Sequence, residues 1–190
     1  MHKAYSKTLQ GLSFNHLKRM KFLLAIPLTV WALIISCNEK PEAADTLAEE
    51  IVAPGLGGEL RGVSIGDDYD KVLQTEPATS LYSMPDEIVY RLPVEDASGT
   101  WYEITYNFND RGLYDICLEI FPTDSITNNK ILADLLKLYA SKYGSPVFDE
   151  GYSTWKIMTK NAHVISVDMT DSLKKHEKPM IRIRYNESEH

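Results

Sequence analysis

The sequence predicts an α+β protein: antiparallel meander sheets with helices packed on one face only, in two successive units that each run helix first and strands after. Three observations carry this. Residues 101–108 and 113–121 alternate apolar and polar side chains around a short turn, the period of a half-buried hairpin. Residues 127–142 place apolar side chains three and four apart, the period of a helix with one buried stripe. The order helix then alternating strands occurs twice between residues 66 and 185, without the strand–helix–strand regularity of a parallel sheet.

The elements follow in order. "GDDYDKVLQTE", 66–76, opens on Asp67 and Asp68, residue types suited to a helix N-cap and first turn. Tyr69, Val72 and Leu73 lie on one helical face, and Pro77 ends the segment. A short strand fits 88–92 before Pro93. In "WYEITYNF" (101–108), Tyr102, Ile104, Tyr106 and Phe108 share a face. "NDRG" (109–112) is a turn in which Gly112 is free to take positive φ. In "LYDICLEIF" (113–121), Tyr114, Ile116, Leu118 and Ile120 form the apolar face. The second helix offers Ile131, Leu132, Leu135, Leu138 and Tyr139 to a core and ends near Gly144, with Pro146 beyond. Strands are then expected at 153–159, 162–169 and 180–185. Ile181, Ile183 and Tyr185 alternate there with Arg182 and Arg184.

The first 36 residues read differently. Lys3, Lys7, Lys18, Arg19 and Lys21 precede "FLLAIPLTVWALIIS" (22–36), and no acidic residue appears before Glu39. A basic stretch, a short apolar stretch and a small residue make a secretory signal. The apolar run is shorter than the ~20 residues that a membrane span needs. A second start is available at Met20, from which a well-proportioned signal also reads. The run ends "IISC", residues 34–37. This resembles the lipobox of bacterial lipoproteins. The resemblance implies acylation of the Cys37 thiol, cleavage before it, and a lipid anchor in the bacterial cell envelope, in the outer membrane facing the periplasm or the cell surface. Acyl chains hold a protein by about 0.8 kcal/mol per buried CH₂.

Removing residues 1–36 takes five basic residues of the chain's 20 and none of its 27 acidic ones, leaving a net charge of −12 on 154 residues. Such a charge repels phosphate backbones, so nucleic acid is not an expected partner. With Cys37 lipidated, Cys117 has no partner within the chain, and it falls on the polar face of its strand. Residues 37–58 are acidic and rich in Ala, Pro and Gly, the composition of a tether. The expected organisation is a signal at 1–36, a tether at 37–58, a first α+β module at 59–122 and a second at 123–190.

"GVSIGDDYDKVL" (62–73) before a meander, and the helix–Tyr143-Gly144-x-Pro146–strand passage, resemble the α+β modules of the SmpA/OmlA outer-membrane lipoproteins. The tandem arrangement is similar to the β-lactamase-inhibitor protein fold. The resemblance implies a binding or assembly role in the envelope without catalysis. The SmpA/OmlA type carries one module where this chain reads as two.

Candidate chemistry is sparse. "GVSIG" (62–66) matches the nucleophile elbow G-x-S-x-G, which makes an envelope serine hydrolase using Ser64 the alternative function. An elbow needs a strand before it, a long helix after it and a parallel sheet around it; the pattern here supplies none of these. His163 would stand in a strand, packed with Ile165 and Val167, and His176 in a charged loop. Asp67, Asp68 and Asp70 lack the spacing of a calcium loop. No His, Cys and carboxylate set has metal-ligand spacing, so neither metal nor cofactor is expected. Glu103, Asp115 and Glu119 share the polar face of one hairpin, an arrangement open to paired-carboxylate chemistry but usual for a solvated strand face. Trp101, Arg182 and Arg184 are the residues most like partner contacts on the face that helices leave bare, since aromatic and Arg side chains dominate interface energetics. No catalytic residue is expected, and the chain reads as a lipid-anchored binding or scaffolding protein.

Overall fold

The protein's structure, a computed structural model, describes residues 46–76, 78–95, 97–171 and 178–187. The signal, Cys37 and His176 lie outside the described residues. Among the described residues three α-helices, α1 (Leu47–Val52), α2 (Tyr69–Thr75) and α3 (Ser125–Tyr143), and a 3-10 turn at Pro54–Leu56 accompany eight strands. The first four are β1 (Tyr82–Met84), β2 (Glu87–Pro93), β3 (Trp101–Asn109) and β4 (Gly112–Phe121). The others are β5 (Val147–Asp149), β6 (Tyr152–Met158), β7 (Val164–Asp171) and β8 (Ile181–Glu187). All eight form one antiparallel sheet in the order β1-β2-β3-β4-β8-β7-β6-β5. Two meanders therefore meet where β4 pairs with β8. The short edge strands β1 and β5 escaped the sequence reading, because three residues cannot display a period.

Alternation decides which side of the sheet is covered. Tyr102, Ile104 and Tyr106 on β3, Ile116, Leu118 and Ile120 on β4, and Ile181, Ile183 and Tyr185 on β8 are all buried. Val72 of α2 and Ile131, Leu135 and Tyr139 of α3 join the same core. Side chains tie the layers: Trp155 Nε1 donates to Gly144 O at 2.8 Å, and the hydroxyls of Tyr139 and Tyr185 bond to each other. Each such apolar side chain contributes about 1.5–3 kcal/mol when fully buried. The helix signals hold locally. Asp68 caps α2 by accepting from Lys71 N at 2.7 Å. Asp124 caps α3 by accepting from Thr127 N at 2.8 Å, and Gly144, at φ 86°, ends it. Leu73, expected on the buried face of α2, is exposed.

Two differences have physical reasons. Tyr114 is exposed, although simple alternation puts it with Ile116. Phe108 opposes Leu113 while Asn107 opposes Asp115, so β4 carries one extra residue at Tyr114. This bulge turns Leu113 inward and Tyr114 outward. The other difference lies in the segment read as a tether. Thr46 caps α1, and Ala48, Ile51 and Val52 are at most 3% exposed. Ala48, Ile51 and Val52 of α1 therefore belong to the buried core, while Leu56 beyond them is exposed. Six helical residues in an acidic stretch give too short a stripe to be recognised.

Candidate functional site

The face of the sheet that the described helices leave bare carries a patterned row of charges. One rung runs Arg91, Glu103, Glu119 and Arg182 across β2, β3, β4 and β8. Two carboxylates directly opposite each other destabilise a strand pair. Here each is flanked by a guanidinium on its outer side. Arg91 Nη2 reaches Glu103 Oε2 at 2.7 Å, and Arg182 donates Nε and Nη2 to Glu119 Oε1 at 2.8 and 2.5 Å. On the neighbouring rungs, Arg184 Nε donates to Asp115 Oδ1 at 2.6 Å, and Asn107 Nδ2 donates to Asp115 Oδ2 at 2.8 Å. Glu103, Asp115 and Glu119 are thus each committed to an ion pair. Hydrogen bonding to Glu119 raises the pKa of Arg182, and hydrogen bonding to Asp115 does the same for Arg184.

Arg182 and Arg184 stand as a ridge between two hollows. One, of about 400 Å³, extends toward β5 and β6 and is lined by Tyr152, Thr154, Asp168, Thr170 and Asn186, with Asp149 and Glu150 at its rim. The other, of about 300 Å³, extends toward β3 and holds Thr105, Cys117 and Asp115. Burial first, then Glu119, pushes the Cys117 thiol up to about 11, so it stays protonated at neutral pH. Trp101 sits farther along the same face, stacked on Phe121 at 4.0 Å between centroids, with the Arg91 guanidinium 4.6 Å above its ring. Of the three expected contact residues, the structure brings Arg182 and Arg184 together and places Trp101 at the Arg91 end of the face. Thr154, Ser166 and Asp168, which complete the Arg184 side, were not singled out from the sequence. Their signal was only the polar half of the β6 and β7 alternation.

Ser64 lies in a turn in which Asp67 N donates to Ser64 O at 3.0 Å. Its N–H donates to Asp67 Oδ2 at 2.9 Å. The turn docks on β4 through Gly66 N to Leu113 O and Leu113 N to Asp67 O, both 2.8 Å. Gly112, at φ 107°, permits this approach, since a Cβ there would sit 2.9 Å from Asp67 O. The sheet is antiparallel and the following helix has seven residues. His163 is not packed among Ile165 and Val167. It precedes β7, about a third exposed, with Nδ1 2.7 Å from Glu187 Oε1. Its Nε2 edge faces Gly66 so closely that a Cβ there would lie 3.0 Å away. Among the described residues no hydrogen bond joins Ser64 to His163. Asp67 takes Lys71 Nζ at 2.5 Å and Asp68 caps α2, which employs the acidic cluster in the helix start. Among the described residues no His, Cys and carboxylate group is arranged to hold a metal, and no helix is long and apolar enough to cross a membrane. Comparison of the chain with protein-family models, curated proteins and solved structures finds no match.

Proposed function

We propose that this chain is a non-catalytic, lipid-anchored protein of the bacterial cell envelope that binds a partner through the bare face of its sheet. The observation that carries the reading is the pinned arginine pair. Arg182 and Arg184 stand 46% and 55% exposed on a face without helices among the described residues, each held in one geometry by a carboxylate of β4. Side chains already ordered lose less entropy on binding. The "IISC" end of the signal supports the anchor. What weighs against Ser64 chemistry is that His163 Nε2 packs on Gly66.

The two halves read as a duplicated unit, as in the tandem modules that the chain resembles. Each is a helix followed by four strands, α2 with β1–β4 and α3 with β5–β8. The strand order is symmetric about the β4–β8 contact, as expected when two copies of a meander join through their last strands. The test is photo-crosslinking in intact cells from a photoreactive residue at position 182, with position 137 on the exposed side of α3 as control. One discrete adduct from 182 and none from 137 is expected. Equal labelling from both positions would remove the bare face from the reading.

A further inference from the structure

We propose that the hollow between Arg184 and Asp168 binds a compact zwitterion, a molecule with an anionic group and an ammonium a few ångströms apart. This rests on the binding role proposed above for the bare face. Arg184 and Asp168 oppose each other directly in the β7–β8 register. Opposite charges so placed ordinarily stabilise the strand pair by closing on each other. Among the described residues no ion pair joins them. Arg184 turns its Nε to Asp115 at 2.6 Å. Asp168 instead accepts from Thr154 Oγ1 at 2.7 Å and from Ser166 Oγ at 3.0 and 3.1 Å. Each is fixed by its own neighbours, and the space between them opens into the hollow of about 400 Å³. Small-molecule sites span about 300–1,000 Å³.

The donors and acceptors facing this space are complementary to both ends of such a ligand. Nη1 and Nη2 of Arg184, and Nη1 of Arg182, make no hydrogen bond among the described residues. They form a forked donor set for a carboxylate or phosphate. The opposite wall is anionic, with Asp168 backed by Asp149 and Glu150 at the rim. Asn186 lines the same hollow, and its buried Oδ1 has no hydrogen-bond partner among the described residues. A plain anion would meet three carboxylates here, and a plain cation two guanidiniums. A molecule carrying both signs matches both walls. A free dipeptide and a phosphoethanolamine headgroup share this chemistry.

The full chain in a non-ionic detergent is titrated by calorimetry and ¹⁵N NMR with glycylglycine and, separately, with glycerophosphoethanolamine. N-acetylglycylglycine and glycylglycine amide, each lacking one charge, are run beside them. At least one zwitterion should bind and shift the amides of β7 and β8, and which one binds more tightly identifies the source. If the dipeptide binds, each blocked form should bind at least about tenfold more weakly; Arg184→Gln and Asp168→Asn should each weaken the zwitterion that binds by about tenfold or more, the scale of one charge-assisted hydrogen bond. Lys137→Gln should change nothing. Asp168→Asn keeps the test open should Arg184→Gln not fold. The proposal is overturned if neither zwitterion binds, if the blocked dipeptides bind as well as glycylglycine, or if binding survives both variants. Should both zwitterions fail while position 182 still yields its adduct, this proposal falls and the binding role stands.

Discussion

Arg61 and Glu76 form an ion pair inside the core, Nε to Oε2 at 3.2 Å, with side chains 8% and 0% exposed. The pair joins α1, the end of α2 and β3. Arg61, in left-handed backbone at φ 52°, also donates Nη1 to Ile51 O at 3.0 Å and to Tyr102 OH at 3.2 Å. Glu76 Oε1 accepts from Tyr106 OH at 2.5 Å. Neither residue stood out in the sequence, where an Arg in a loop and a Glu at a helix end look solvated. Removing Glu76 leaves a guanidinium buried and unpaired. Glu76→Ala should therefore cost about 3–5 kcal/mol in urea unfolding. A loss below about 1 kcal/mol, the range of surface pairs, would mean the cluster is not buried in solution.

The second expectation separates a tether from a structural helix. Ile51 is fully buried beneath α1. Ile51→Ala should cost about 2–5 kcal/mol, as should Leu135→Ala in α3. A tether residue would cost nothing. Comparing the two midpoints by chemical denaturation tests whether α1 belongs to the cooperative unit.

The contrast between these residues measures what the sequence could reveal. Leu135 was legible because α3 is 19 residues long and repeats its stripe several times. The strands from Trp101 to Phe121 were legible because β3 alternates along its whole length and β4 does so from Ile116 to Phe121. Ile51 was hidden because α1 is one and a half turns, and its burial depends on α3, which lies more than seventy residues later. Arg182 and Arg184 could be assigned to the polar side of a strand by period alone. Their anchoring by Glu119 and Asp115 could not, because register across β4 and β8 is a long-range property. The bulge at Tyr114 was equally unreadable, since one extra residue leaves no compositional mark.

Alkaline pH should unfold the protein before its ion pairs matter. Burial, then Glu76, raises the Tyr106 hydroxyl well above its ordinary range, and burial, then Tyr139, does so for Tyr185. Both are neutral in the fold and ionise near pH ~10 in the unfolded chain. An acid raised on folding adds stability that is complete below the unfolded value and drains as pH rises beyond it. The melting temperature should hold to about pH 9 and fall steeply above about 10. Tyr106→Phe with Tyr185→Phe should flatten that fall relative to its own neutral value. An unchanged slope in the double variant would assign the alkaline loss elsewhere.

The anchor is tested at Cys37. Acyl chains on that thiol would be the protein's hold on the membrane, and the described fold starts at residue 46. Cys37→Ala removes the acylated atom and, in the lipoprotein reading, the cleavage signal with it. The variant should accumulate as a longer precursor or leave the membrane fraction, and should take up no labelled fatty acid. Starting translation at Met20 should change none of this, because the apolar run and "IISC" both follow that residue. A Cys37→Ala protein that is still shortened to the wild-type length and still sediments with membranes would have to be held by something other than lipid.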